Sequence, residues 1–140
     1  MNRKWFGIAI LVFTAIALLN LSSCAHSQKL VGITVSPQNT SITLGGFGQV
    51  VGTQFTALGS YIHPPETKDV TAKAVWTTNT PSIIAVDPTT PGLVNTTGEG
   101  CGTNLGITAS VYSNPSDPSA GSVVVGTTTM NVTFAGTTCK

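Results

Sequence analysis

From Leu30 onward the chain runs in short stretches in which an apolar residue is followed by a polar or small one, and each stretch is stopped by Gly, Pro, Asn or Asp. Val31, Ile33 and Val35 alternate with Gly32, Thr34 and Ser36 ahead of Pro37; Ile42 and Leu44 alternate again ahead of Gly45 and Gly46. An apolar period of two places every second side chain on one face, which suits a half-buried strand and not a helix. Proline closes such a run because it has no N–H to give to a ladder. The pattern predicts an all-β sandwich or barrel.

The later runs fit the same scheme. Val51, Thr53, Phe55 and Ala57 share one face of a third strand with Tyr61 at its far end, and residues 62–67 read as a turn. Short runs follow at 70–71, 74–77, 83–86 and 93–94, punctuated by Asn79-Thr80-Pro81 and Asp87-Pro88. Leu105, Ile107, Ala109 and Val111 line one side of a long strand. The last strand runs through Val123 to Met130, Val132 and Phe134, with residues 113–121 as the polar hairpin connection between the two. Thr at the outward positions suits an exposed pleated surface.

The first residues have a different composition. Arg3 and Lys4 precede an apolar stretch over residues 5–19. As a helix it would reach about 22 Å at ~1.5 Å per residue, short of the roughly 20 residues of a membrane span. A cleaved export signal is therefore expected. Leu21-Ser22-Ser23-Cys24 resembles the lipobox of bacterial lipoprotein signal peptides. That resemblance implies a signal over 1–23, acylation of Cys24 with palmitate-like chains, a lipidated tether over 24–29 and a domain over 30–140. Two or three acyl chains suffice for stable membrane anchoring. Ala25 stands where many Gram-negative lipoproteins retained in the inner membrane carry Asp, so the same analogy points to the outer membrane if the host is Gram-negative.

Charge narrows the partners. Charged residues make up 8% of the chain, against roughly 25% in an average soluble protein. After removal of the signal, Lys29, Lys68, Lys73 and Lys140 face Glu66, Asp69, Asp87, Glu99 and Asp117. No basic face is available for nucleic acid.

Several segments together resemble the bacterial immunoglobulin-like domain of group 2. They are Val31-x-Ile33-x-Val35-x-Pro37, Ile42-x-Leu44-Gly45, the stretch from Gln54 to Tyr61, and Asp69-Val70-Thr71 followed by Val75-Trp76-Thr77-Thr78-Asn79-Thr80-Pro81-Ser82-Ile83-Ile84-Ala85-Val86-Asp87. Gly92-Leu93-Val94 and Gly102-Thr103-x-x-Gly106-Ile107-Thr108-Ala109 complete the likeness. It implies an immunoglobulin-like sandwich of about seven antiparallel strands with Trp76 in the core between two sheets. His63-Pro64-Pro65-Glu66, the 113–121 connection and two cysteines depart from the pattern.

With Cys24 assigned to the lipid, Cys101 and Cys139 are left, and an exported compartment oxidises such a pair. If the last two long strands pair about the 113–121 hairpin, residue 101 falls opposite Thr133, and Gly136 permits the tail to turn back. The expectation is a Cys101 to Cys139 disulfide; the alternative is two unpaired thiols.

Catalytic patterns are sparse. The mature histidines are His26 in the tether and His63 before Pro64, and no G-x-S-x-G elbow occurs. Glu66, Asp69, Asp87, Glu99 and Asp117 fall on turns or strand ends, where acidic side chains serve turn geometry. Cys101, Cys139 and His63 do not make a zinc set, and calcium held by Asp and backbone carbonyls at a sandwich end stays open as an alternative. The assigned reading has no cofactor, no metal and no enzymatic activity: a lipid-anchored envelope or cell-surface module with a structural or adhesion-like protein-interaction role. The alternative is a carbohydrate-binding module, for which Tyr61, Tyr112 and Phe47 are the candidate aromatics.

Overall fold

The computed structural model describes residues 28–114 and 121–136; residues 1–27, with the signal, Cys24 and His26, and residues 115–120 and 137–140, with Asp117 and Cys139, lie outside the described set. Ten strands are present: β1 (Lys29–Ser36), β2 (Thr40–Leu44), β3 (Gly52–Gln54), β4 (Thr56–Ile62), β5 (Glu66–Asp69), β6 (Val75–Thr78), β7 (Ile84–Val86), β8 (Leu93–Thr96), β9 (Gly102–Tyr112) and β10 (Val123–Phe134). The fold is an all-β sandwich. One layer has the order β2-β10-β9-β6. The other combines β1-β4-β5 with β3-β8-β7, joined because β3 runs into β4 through Phe55.

Ten strands replace the expected seven for identifiable reasons. The alternation from Val51 to Tyr61 is one run in sequence, but its partners change at Phe55. Below that point β3 pairs with β8; above it β4 pairs with β1 on one side and β5 on the other. The Phe55 N–H donates to the Gly92 carbonyl at 2.8 Å, outside either ladder. Residues 66–67, read from the sequence as turn, begin β5, and 70–71, read as a strand, form a turn with Val70 buried. All four residues of β5 are exposed, so it carries no apolar alternation to detect. A short charged edge strand of this kind also blocks sheet-to-sheet association.

A second correction falls in β1. The pairing with β4 shifts register between Leu30 and Gly32. A bulge of this kind adds one residue and reverses the phase of the side chains. Leu30 is therefore buried at 1% exposure, while Val31, expected on the inner face, is 49% exposed.

One core lies between the layers. Leu105, Ile107, Ala109 and Val111 of β9 and Met130, Val132 and Phe134 of β10 face Leu30, Val35, Phe55, Ala57 and Tyr61, with Leu44, Val70, Ile84 and Val94 closing it. Trp76 on β6 belongs to this core, and its Nε1–H donates to the Thr71 carbonyl at 3.0 Å. Burial of an indole is stable only when that N–H finds a partner, and the turn after β5 supplies one. β9 and β10 pair antiparallel with Tyr112 opposite Val123 and Gly102 opposite Val132. A register shift between Met130 and Val132 moves the pairing by one residue, from Leu105 opposite Met130 to Gly102 opposite Val132, and continued by one residue this puts Cys101 level with Thr133. β2 adds to β10 in parallel, Thr40 opposite Met130 and Leu44 opposite Phe134.

Candidate functional site

The long strands give the domain two poles. β10 starts at Val123 and ends at Phe134, a rise of about 36 Å at ~3.3 Å per residue. Lys29, Ile62, Tyr112 and Val123 mark one pole, since Lys29 pairs with Ile62 and the Leu30 N–H reaches the Ser113 carbonyl at 3.5 Å. Leu44, Phe134 and the turns over 45–50 and 97–101 mark the other.

At the first pole the start of the described chain is tied down. Gln28 Nε2 donates to Glu66 Oε2 at 2.9 Å, and Lys68 Nζ donates to Gln28 Oε1 at 2.7 Å. Lys68 also pairs with Glu66 at 3.0 Å and lies 5.6 Å from the centre of the Tyr61 ring. Hydrogen bonds from Gln28 and Lys68, with the Lys68 charge, hold the Glu66 carboxyl below its ordinary value. Each exposed contact is weak alone. Together they hold Gln28, the first described residue, on the β4–β5 hairpin.

The opposite pole is built from glycine turns. Gly48 and Gly98 both have positive φ, 80° and 76°, and the Gly48 N–H donates to the Gly98 carbonyl at 2.9 Å. A Cβ on Gly98 would lie 2.7 Å from the Gly48 carbonyl carbon, so the two backbones meet where only glycine fits. The buried Thr96 hydroxyl completes the joint, accepting from the Val51 N–H at 2.9 Å. Phe47 projects from this turn, 78% exposed, and its ring stacks on Phe134 at 4.6 Å between ring centres. Val50 beside it is 62% exposed.

Between the poles, the outer face of the β2-β10-β9-β6 layer changes character along its length. Thr77, Thr108 and Thr127 form one cross-strand row. Further toward Phe134 come the Thr43 and Thr133 hydroxyls, 3.1 Å apart, and Asn131, whose Oδ1 accepts from the Asn104 N–H at 2.8 Å. Toward the other pole the polar rows give way to Val75, Ser110 and Val125, then to Tyr112 and Val123. Sequence reasoning missed this gradient, although the signal was present: Val123-Val124-Val125 is apolar on both faces, where the strand otherwise alternates with Thr.

The aromatics expected for glycan binding do not assemble. Tyr61 is buried at 8% exposure beneath Lys68, a correction to the wet strand end expected for it. Tyr112 is 46% exposed at one pole and Phe47 lies at the other. The carboxylates are likewise dispersed. Asp69 caps the turn at Thr71, and Asp87 accepts from the Thr89 hydroxyl and from the N–H groups of Thr89 and Thr90. These bonds lower both carboxyls from their ordinary values, with the threonine side chains as the largest cause. Among the described residues no three His, Cys, Asp or Glu side chains gather as a metal set.

Cys101 is partly buried against the core at the Phe47 pole and is held in a disulfide. Its sulfur is therefore not a thiolate nucleophile for His63. The other two cysteines, Cys24 and Cys139, are outside the described residues, so the expected partner and the expected lipidation site are both carried forward as proposals. Compared with known protein families and with curated proteins, the chain matches none.

Proposed function

We propose that this chain is a lipid-anchored envelope module of the bacterial immunoglobulin-like type, non-enzymatic, whose role is structural or protein-interacting. The observation that carries the reading is the polarity of the domain. The chain enters at the pole fixed by Gln28 on Glu66 and by Leu30 on Ser113. Cys24 lies six residues before Leu30, a reach of at most ~20 Å. Acyl chains on Cys24 hold that pole near the bilayer and turn the opposite pole, with Phe47 and Val50 on its glycine turn, toward other envelope components. An exposed aromatic held from behind by Phe134 presents apolar area with little conformational freedom left to lose. The burial of Trp76 between the layers supports the immunoglobulin-like assignment.

Metabolic labelling with an alkyne analogue of palmitate tests the reading. The wild-type protein takes the label and sediments with membranes, and Cys24→Ser loses the label and becomes soluble. Equal labelling and sedimentation of the two proteins would overturn it.

A further inference from the structure

We propose that the apolar corner of the four-stranded layer, formed by Val75, Tyr112, Val123 and Val125, is a membrane seat that rests on the lipid surface holding the acyl chains of Cys24. The proposal builds on the lipoprotein reading above and adds an orientation to it. The four side chains are 61%, 46%, 52% and 53% exposed. They are contiguous: Ser110 stands opposite both Val75 and Val125, and Tyr112 opposite Val123. A shallow hollow lined by Val75, Ser110, Val111, Tyr112 and Val123 lies at this corner. Single exposed apolar residues need no explanation, but a cluster with polar rows beyond it marks a contact surface.

The choice of a lipid surface as the occupant follows from where the chain leads. Leu30 is bonded to Ser113, the residue after Tyr112, and from there the covalent path to Cys24 spans at most ~20 Å. The cluster is therefore on the anchored pole and not on the pole that faces away. A tethered surface meets its partner as an intramolecular event, so a patch too small to bind lipid alone engages once the anchor is inserted. Tyr112 has the amphipathic ring that favours the headgroup level. Lys29, exposed at the same pole, adds a cation suited to anionic headgroups. The Thr77, Thr108 and Thr127 row beyond the cluster stays in water.

The test uses the full-length lipidated protein in vesicles of phosphatidylethanolamine and phosphatidylglycerol. An environment-sensitive fluorophore is placed at Val125→Cys and, separately, at Thr43→Cys, which is exposed on the same sheet face at the far pole. Both positions point outward, so the core is untouched. The label at 125 shifts to the blue and is quenched several-fold more than that at 43 by nitroxide lipids labelled near the headgroup. Protein that floats with the vesicles and shows equal quenching at the two positions overturns the seat and leaves the anchor standing. A label at 125 that is shielded equally in detergent, within a cross-linkable dimer, overturns it in favour of a second copy on the patch. Protein that carries no acyl chain and does not float overturns the lipoprotein reading and the seat with it.

Discussion

Ile33 of β1 lies directly against Gly126 of β10: a Cβ at position 126 would come within 2.6 Å of Ile33 Cγ2 and 2.7 Å of the Ile33 carbonyl oxygen. The two layers approach so closely here because β10 presents no side chain. Gly126→Ala forces β1 outward and is expected to cost about 1 to 3 kcal/mol, the usual range for overpacking. Pairing it with Ile33→Ala removes the Cγ2 clash but leaves the Ile33 Cβ at 2.9 Å and the carbonyl clash, so recovery in the double variant should be partial. Urea unfolding of the three proteins measures this, and full stability in Gly126→Ala alone would show that the layers are farther apart.

Trp76 tests the core from the other side. Trp76→Ala removes the largest side chain between the sheets and should cost on the order of 3 to 5 kcal/mol. Trp76→Phe keeps most of the volume but leaves the Thr71 carbonyl without its indole donor, so its cost should fall well below that of the alanine variant. After signal removal Trp76 is the single tryptophan, and its emission should be that of a buried indole, shifting to the red on unfolding.

The disulfide assigned to Cys101 and Cys139 would close a loop of roughly 39 residues, worth about 4 kcal/mol by the chain-entropy estimate. That is a large share of the ~5 to 15 kcal/mol of an ordinary domain. Reductant should lower the melting temperature by more than ~10 °C, at about 4 to 8 °C per kcal/mol for a domain near this size. Peptide mapping of the non-reduced exported protein should recover 101 linked to 139. A melting temperature indifferent to reductant would show that the link does not hold the sandwich closed.

Acid should weaken the turns capped by Asp69 and Asp87. Threonine hydrogen bonds lower both carboxyls in the folded state. A lowered folded value contributes stability that is complete above the unfolded value and is lost as pH falls through the folded one. The melting temperature should therefore fall below about pH 4, the ordinary aspartate value, and the fall should shrink in Asp87→Asn. NMR titration of the carboxyl carbons checks the sign: both should titrate below a model peptide, and a raised midpoint would contradict the capping geometry.

Much of the fold was legible in the sequence because strands half-buried in a sandwich record their inner face every second residue. Leu105, Ile107, Ala109 and Val111 are all buried as their alternation requires, and the pairing of β9 with β10 followed from one hairpin, apart from the register shift between Met130 and Val132. Three features were not legible, each because the pattern of two contains no information on it. The bulge that exposes Val31 is a backbone event between Leu30 and Gly32. The division at Phe55 leaves the alternation intact and changes only the partners. β5 has no buried side chain at all. The poles were invisible for a different reason, since they depend on which strand ends meet in space. Tyr61 and Tyr112 looked equivalent at strand ends, yet Tyr61 turns into the core under Lys68 and Tyr112 faces out.

Mass spectrometry of the N-terminal peptide of the protein isolated from membranes addresses the anchored module most directly. The expected peptide begins at Cys24 and carries a diacylglyceryl group on sulfur, with or without a further acyl chain on the amine. A mature N-terminus at any other residue, or an unmodified Cys24 in protein that has been exported, would contradict the account.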